Sequence, residues 1–108
     1  MRRVLFICTA NHYRSRTAED LYRSDARYEV LSAGTDVCDN EPGERPVTKE
    51  LVDWADMIFV MEDYHHEVLT ERFPDCRPKI VVLGVPDRFY RGDPELIEIL
   101  RTRLAQHL

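Results

Sequence analysis

"VLFICTANHYRSRTAED", Val4–Asp20, decides how the rest of the chain is read. A run of β-branched and apolar residues stops at Cys8, and five residues then separate it from Arg14 and a helix-forming stretch. The pattern predicts a strand over Arg2–Ile7 and a helix over Ser15–Ala26, with Ala18, Leu21 and Tyr22 on one helix face. A loop joining a strand to a helix N-terminus collects backbone N–H groups that have no helical partner. Those groups and the helix dipole favour an anion, more so when the loop curls into a nest. A thiol at the floor of such a nest ionises more readily. An arginine at its rim grips two oxygens of a tetrahedral anion at once. The C-x5-R spacing of Cys8 and Arg14 therefore suits displacement at phosphorus through a phosphocysteine. Taken alone, the spacing is a common chance pattern, and a cysteine ending a buried strand is as well read as inert core. Its place on the first strand–loop–helix turn is what raises it.

Outward from this turn the alternation continues. Tyr28–Leu31 reads as a second strand, followed by Ser32-Ala33-Gly34. Residues 35–47 carry the loop signals Pro42, Gly43 and Pro46. Thr48 can cap a short helix reaching Trp54, a core residue. "DMIFVM", Asp56–Met61, is a continuous apolar strand of the kind buried on both faces in parallel sheets. Glu62–Phe73 reads as a helix and Lys79–Val85 as the fourth strand. Asp93 as N-cap and Pro94 at the first helical position begin the last helix, with Leu96, Leu100 and Leu104 as its inner stripe. The acidic run 36–44 reads as a solvated loop. Regular strand–helix alternation predicts an α/β three-layer sandwich with a four-stranded parallel sheet and right-handed crossovers. Such sheets bind ligands beyond the carboxyl ends of their strands, where Cys8, Ser32, Met61 and Asp87 fall.

Composition narrows the function. With 108 residues, the expectation is one domain, residues 1–108. A net charge of −5 provides no overall field for nucleic acid or an anionic membrane, so an anion site must be local. The apolar stretch Val4–Ala10 is too short for a signal peptide, and no run is long enough to span a bilayer. Three cysteines, Cys8, Cys38 and Cys76, in no metal-like spacing point to free thiols in a reducing cytoplasm. His65 and His66 are adjacent, point in different directions on a helix and make a poor metal pair. No metal and no cofactor is expected.

"CTANHYRS" resembles the signature loop C-x-G-N-x-C-R-S of the low-molecular-weight protein tyrosine phosphatases, with Cys8, Asn11, Arg14 and Ser15 matching residue for residue. "LSAGT" (31–35), "TKELVDWADMIFVMEDYHHEVL" (48–69) and "VPDRFYRG" (85–92) resemble later segments of that family, in order. The resemblance implies a flavodoxin-like fold of the low-molecular-weight phosphatase type, with strand order 2-1-3-4. It implies a phosphomonoester hydrolase acting on protein phosphotyrosine or a small aryl phosphate through a phosphocysteine intermediate, with a phosphorylated protein or small aryl phosphate as substrate and phosphate as product. By position, Cys8 is the nucleophile and Arg14 the clamp. Thr9, Ala10, Asn11, His12 and Tyr13 complete the loop. Asn11 and Ser32 hold its shape, and Ser15 supports the sulfur. Asp87 is the general acid, then the base for water, and Phe89 and Tyr90 are the aromatic substrate walls. Asp93 competes for the acid role but is accounted for as an N-cap. For one of Phe89 and Tyr90, core packing of the loop is an equal reading.

The chain also departs from the family pattern. It is shorter between Ser32 and Thr48, where the family has a helix and a histidine of the loop-shaping network, and no histidine is available there. Cys38 falls near the position of a further aromatic wall, which predicts a more open pocket mouth. Tyr13 replaces the second loop cysteine, and Ala10 replaces a glycine. His12 stands where an apolar wall is usual, and two readings of it stay open: contact with phosphate, or exposure to solvent. Two other functions fit the same fold. A non-catalytic phosphoryl-binding module would need no acid such as Asp87. An arsenate reductase would need a closely spaced cysteine pair that the sequence does not contain.

Overall fold

The computed structural model describes residues 1–37 and 43–108; Cys38 lies outside the described residues. The elements follow the predicted alternation. They are β1 (Arg2–Cys8), α1 (Arg14–Tyr22), β2 (Tyr28–Gly34), α2 (Lys49–Trp54), β3 (Met57–Val60), α3 (Asp63–Arg72), a 3₁₀ segment (Pro74–Lys79), β4 (Ile80–Val82) and α4 (Pro94–Leu104). The strands form one sheet in the order β2-β1-β3-β4, with every pairing parallel. The sheet is the one predicted.

The apolar strands are continuous because both faces of the sheet are covered. Alternate residues of a strand face opposite ways. Val4, Phe6 and Phe59 point to the side where Ala18 of α1 and Leu96, Leu100 and Leu104 of α4 pack. Leu5, Ile7, Ile58 and Val60 point to the other side, against Val52 of α2 and Leu69 of α3. Phe6 stacks on Phe59 at 5.8 Å between ring centroids, which joins the two central strands.

Element ends differ from the sequence expectation where side chains or glycine intervene. Helix α1 stops at Tyr22 rather than Ala26, because the Asp25 carboxylate accepts from the Arg27 N–H and turns the chain. Strand β2 runs on to Gly34, since its register with β1 continues to Cys8↔Gly34. The β4 ladder ends at Val82 instead of Val85. Gly84 takes a left-handed φ of 71°, yet Leu83 and Val85 still donate to the Val60 and Met61 carbonyls. The 3₁₀ segment went unpredicted, although Pro74 begins it. No helix among the described residues is long and apolar enough to cross a membrane.

Candidate active site

Strand β1 ends on Cys8 and α1 opens on Arg14, so the five residues between them form the loop in which the sequence predicts an anion nest. One of them must turn left-handed. That residue is Asn11, at φ 53°, a type whose short polar side chain tolerates the region. Ala10, which stands where the signature has glycine, is relieved of the strain. The loop is seated on β2. Thr35 N–H donates to the Cys8 carbonyl at 3.0 Å and Asp36 N–H to the Thr9 carbonyl at 2.8 Å. A Cβ on Gly34 would stand 2.5 Å from the Thr9 carbonyl oxygen and 2.6 Å from the Asn11 nitrogen, so only glycine fits beneath the loop.

Behind the loop runs a buried chain of hydrogen bonds whose direction is fixed by its donors. The Asn11 amide donates from Nδ2 to Ser15 Oγ and to Ser32 Oγ, each at 2.9 Å. The Ser32 hydroxyl donates to the Glu19 carboxylate at 2.6 Å. Ser15 Oγ lies 2.9 Å from Cys8 Sγ. With Asn11 donating to it, its own hydrogen is free to point at the sulfur. Asn11 Oδ1 is held by the backbone N–H of Arg45 at 2.8 Å. A backbone group of the shortened segment thus contacts Asn11 directly, with no histidine from that span. Arg45 also donates from Nη1 to the Ser32 carbonyl. The sequence reading singled out neither Glu19 nor Arg45, which take part only through tertiary contact.

Arg14 is only 2% exposed, and its charge is met by acceptors. Its Nη1 donates to Glu62 Oε1 and to the Val85 carbonyl, both at 2.8 Å, and its Nε lies 3.8 Å from Asp87 Oδ1. Asp87 is largely exposed, on the loop after β4. That loop is strapped to α1. Arg91 makes a two-pronged contact with Asp20, both bonds 2.9 Å, and Gly92 N–H donates to Thr17 Oγ1. The Arg91 guanidinium holds the Asp20 carboxyl below its ordinary range. Asp93 caps α4 by accepting from Glu95 N–H at 3.0 Å.

His65, set aside in the sequence as half of a poor metal pair, is part of this shell. It is fully buried. Its Nδ1 accepts from the Glu62 backbone N–H at 3.0 Å, so in the neutral ring the proton sits on Nε2, which faces Thr9 Oγ1 at 2.9 Å. Burial first, and then the nearby Arg14 charge, push its pKa down to about 4. Glu62 and His65 form a capping box at the start of α3. The Glu-x-x-His spacing was the sequence signal for that box. Glu62 thereby serves both the helix and the arginine.

Cys8, Thr9, Ala10, His12, Tyr13, Arg14 and Asp87 line one cavity of about 210 Å³. Asn11, Ser15 and Ser32 are buried and support it from behind. Phe89 is not a substrate wall: it is 5% exposed and packs in the core with Leu96 and Leu100. Tyr90 is 61% exposed and does not line the cavity. His12 Nδ1 pairs with the Glu44 carboxylate, and its ring meets the edge of Tyr13 at 4.2 Å. Glu44 belongs to the run read as solvated, but its side chain is only 5% exposed. No cluster of metal-ligating side chains occurs among the described residues.

No protein-family model matches the chain. It is 28% identical over 141 aligned positions to a protein-arginine-phosphatase of Geobacillus stearothermophilus, covering 98% of this chain and 95% of that one. A protein-arginine-phosphatase of Bacillus subtilis (strain 168) is likewise 28% identical, over 144 positions, with 97% and 95% covered. The solution structure of a low-molecular-weight protein tyrosine phosphatase from Bacillus subtilis superposes with a TM-score of 0.73 at 25% identity, covering 97% of this chain and 98% of that one. The chain therefore shares its fold with a low-molecular-weight protein tyrosine phosphatase and is similar over nearly its whole length to curated arginine phosphatases. The two relatives and this structural neighbour are all phosphatases.

Proposed function

We propose that the protein removes phosphate from phosphorylated protein side chains through a phosphocysteine on Cys8, and that phosphoarginine is its first substrate. The observation that carries this reading is the cavity where Cys8, Arg14 and Asp87 meet, with Ser15 Oγ 2.9 Å from the sulfur. In the first step the Cys8 sulfur attacks phosphorus. The bond to the leaving nitrogen or oxygen breaks, and Asp87 gives that atom a proton. Backbone N–H groups of the nest and the Arg14 guanidinium stabilise the charge that develops on the phosphoryl oxygens. In the second step Asp87 takes a proton from water, the hydroxide attacks phosphorus, and the sulfur departs, assisted by the Ser15 hydroxyl.

Two considerations support phosphoarginine over an aryl phosphate. The curated relatives carry that activity in their names. The cavity also offers the Asp87 carboxylate, while Phe89 is buried and Tyr90 does not line it. A carboxylate-bearing mouth suits a guanidinium better than a phenol ring. Phosphotyrosine is the second reading, favoured by Tyr13, an aromatic ring that lines the cavity. The test compares kcat/KM on peptides carrying phosphoarginine or phosphotyrosine, with p-nitrophenyl phosphate as a substrate neutral between them. A preference of about tenfold or more for phosphoarginine supports the first reading, and the reverse ratio supports the second. Cys8→Ser should abolish all three activities, and hydrolysis surviving in that variant would remove the mechanism. Asp87→Asn should cost about 10²- to 10⁴-fold on the poor leaving groups. Asp93→Asn should keep most activity, since asparagine caps a helix about as well as aspartate.

A further inference from the structure

We propose that a groove beside the phosphate cavity receives the residue flanking the phosphorylated side chain of a protein substrate, and that it selects a long cationic side chain, lysine or arginine. The inference rests on the phosphatase reading above and names the kind of sequence that such an enzyme would act on. The groove, of about 560 Å³, is lined by Glu62 and Asp63 where α3 begins and by residues 82–86 at the end of β4 and just beyond it.

A single wall separates the groove from the cavity that holds Cys8, and it is built from the partners of Arg14. Arg14 Nη1 meets Glu62 Oε1 and the Val85 carbonyl, both at 2.8 Å, and Glu62 and Val85 line the groove. Pro86, also in the groove, is bonded to Asp87, which lines the cavity. An extended peptide advances only about 3.5 Å per residue. One whose phosphorylated side chain enters the cavity therefore sets a neighbouring residue over this wall.

The lining decides which neighbour fits. Its floor is apolar, with Leu83 and Val85 buried and Val82 partly open to solvent. Its rim carries two carboxylates, and among the described residues no cationic side chain lines it. Glu62 is committed to Arg14 and to the His65 N–H. That leaves Asp63, exposed at the first position of α3, as the charge of the rim. Arg103 approaches Gly84 from α4, but its Nη1 is spent on the Leu83 and Gly84 carbonyls, at 2.6 and 2.5 Å. Arg88, past the groove, pairs with Glu95 at 3.3 Å. Lysine and arginine lay their methylenes on apolar surface and keep their charge at its edge. The methylenes match residues 82–86 and the charge matches Asp63. A glutamate in the same place would meet Asp63 with like sign.

The test measures the binding of labelled phosphopeptides to the full Cys8→Ser chain by fluorescence anisotropy at low ionic strength. One series carries phosphoarginine and another phosphotyrosine, each with lysine or with glutamate on both sides of the phosphorylated residue. In at least one series the lysine peptide should bind about three- to tenfold more tightly than its glutamate twin, the range covered by exchanging an attractive rim pair for a repulsive one. Asp63→Lys should bring that ratio to about one or below. Glu29→Lys makes the same change of net charge at an exposed position of β2, on the opposite edge of the sheet, and should keep the ratio. A ratio below about threefold in both series would overturn the proposal. So would a ratio that survives Asp63→Lys, one that Glu29→Lys lowers equally, or a chain that binds neither series. Hydrolysis by the wild type is the separate arm. A lysine preference that depends on Asp63, without turnover of these peptides or of p-nitrophenyl phosphate, sustains the groove and removes the phosphatase reading; turnover with no such preference does the reverse.

Discussion

Gly34 carries no side chain because the phosphate loop runs directly over it. The atoms a Cβ would strike, the Thr9 carbonyl oxygen and the Asn11 nitrogen, are backbone and cannot rotate aside. Gly34→Ala should therefore displace the nest and lower kcat/KM on p-nitrophenyl phosphate by about 10²-fold, the usual result of misplacing reacting groups by an ångström. Steady-state kinetics on the purified variant checks this, and a near-normal rate would mean that the loop has slack. His65 makes a different prediction. Its folded-state pKa of about 4 lies below the unfolded value of about 6.5. The unfolded chain thus binds the proton more readily. This contribution to stability is complete above about pH 6.5 and is lost as pH falls toward 4. Denaturant melts across that window should show a slope that His65→Gln reduces, and an unchanged slope would contradict the assignment. Both residues were within reach of the sequence in part. Gly34 was seen closing a strand, but what crosses it is a tertiary fact. His65 was read as one of an idle pair, because nothing local says that Thr9 lies 2.9 Å away.

The elements were the most legible level. Period-two and period-3.6 patterns are local, so β1, α1, β3 and α4 were visible with the residues that face the core. Their ends were less so, because ends are decided by single contacts. Asp25 turns the chain after α1, and Gly84 ends the β4 ladder. Helix α1 illustrates what an element does beyond its pattern. Its first residue, Arg14, lines the cavity, while Thr17 and Asp20 further along hold the loop that carries Asp87, through Thr17–Gly92 and Asp20–Arg91. The pair is half-exposed, so its contribution to global stability should be small, within about 1 kcal/mol. Its effect should instead be kinetic. Asp20→Asn is expected to lower turnover by about three- to tenfold on poor leaving groups, which need the acid in place, and to leave p-nitrophenyl phosphate nearly untouched. Equal losses on both substrates would show that the strap serves only the fold.

Across the whole molecule, the candidate site draws on nearly every element. Cys8 ends β1, Ser32 lies in β2, Glu62 follows β3, Val85 and Asp87 follow β4, and Glu44 and Arg45 come from the segment before α2. The sequence could place these residues at one edge of a parallel sheet, because that edge follows from alternation and handedness alone. It could not pair Arg14 with Glu62, or His12 with Glu44, since each pairing joins segments about thirty or more positions apart and depends on assembled strands. Arg14 is the knot. Its bonds fasten the start of α1 to the residues after β3 and β4, so the anion cradle exists only once the sheet is complete. An anion that binds the cradle must then shift the folding equilibrium, by about 2.7 kcal/mol when its concentration is a hundred times its dissociation constant. A Cys8→Ser protein, expected to be inert, would register that shift as a rise in melting temperature for each phosphorylated side chain offered to it. Substrates could then be ranked by heat alone, before any has been turned over.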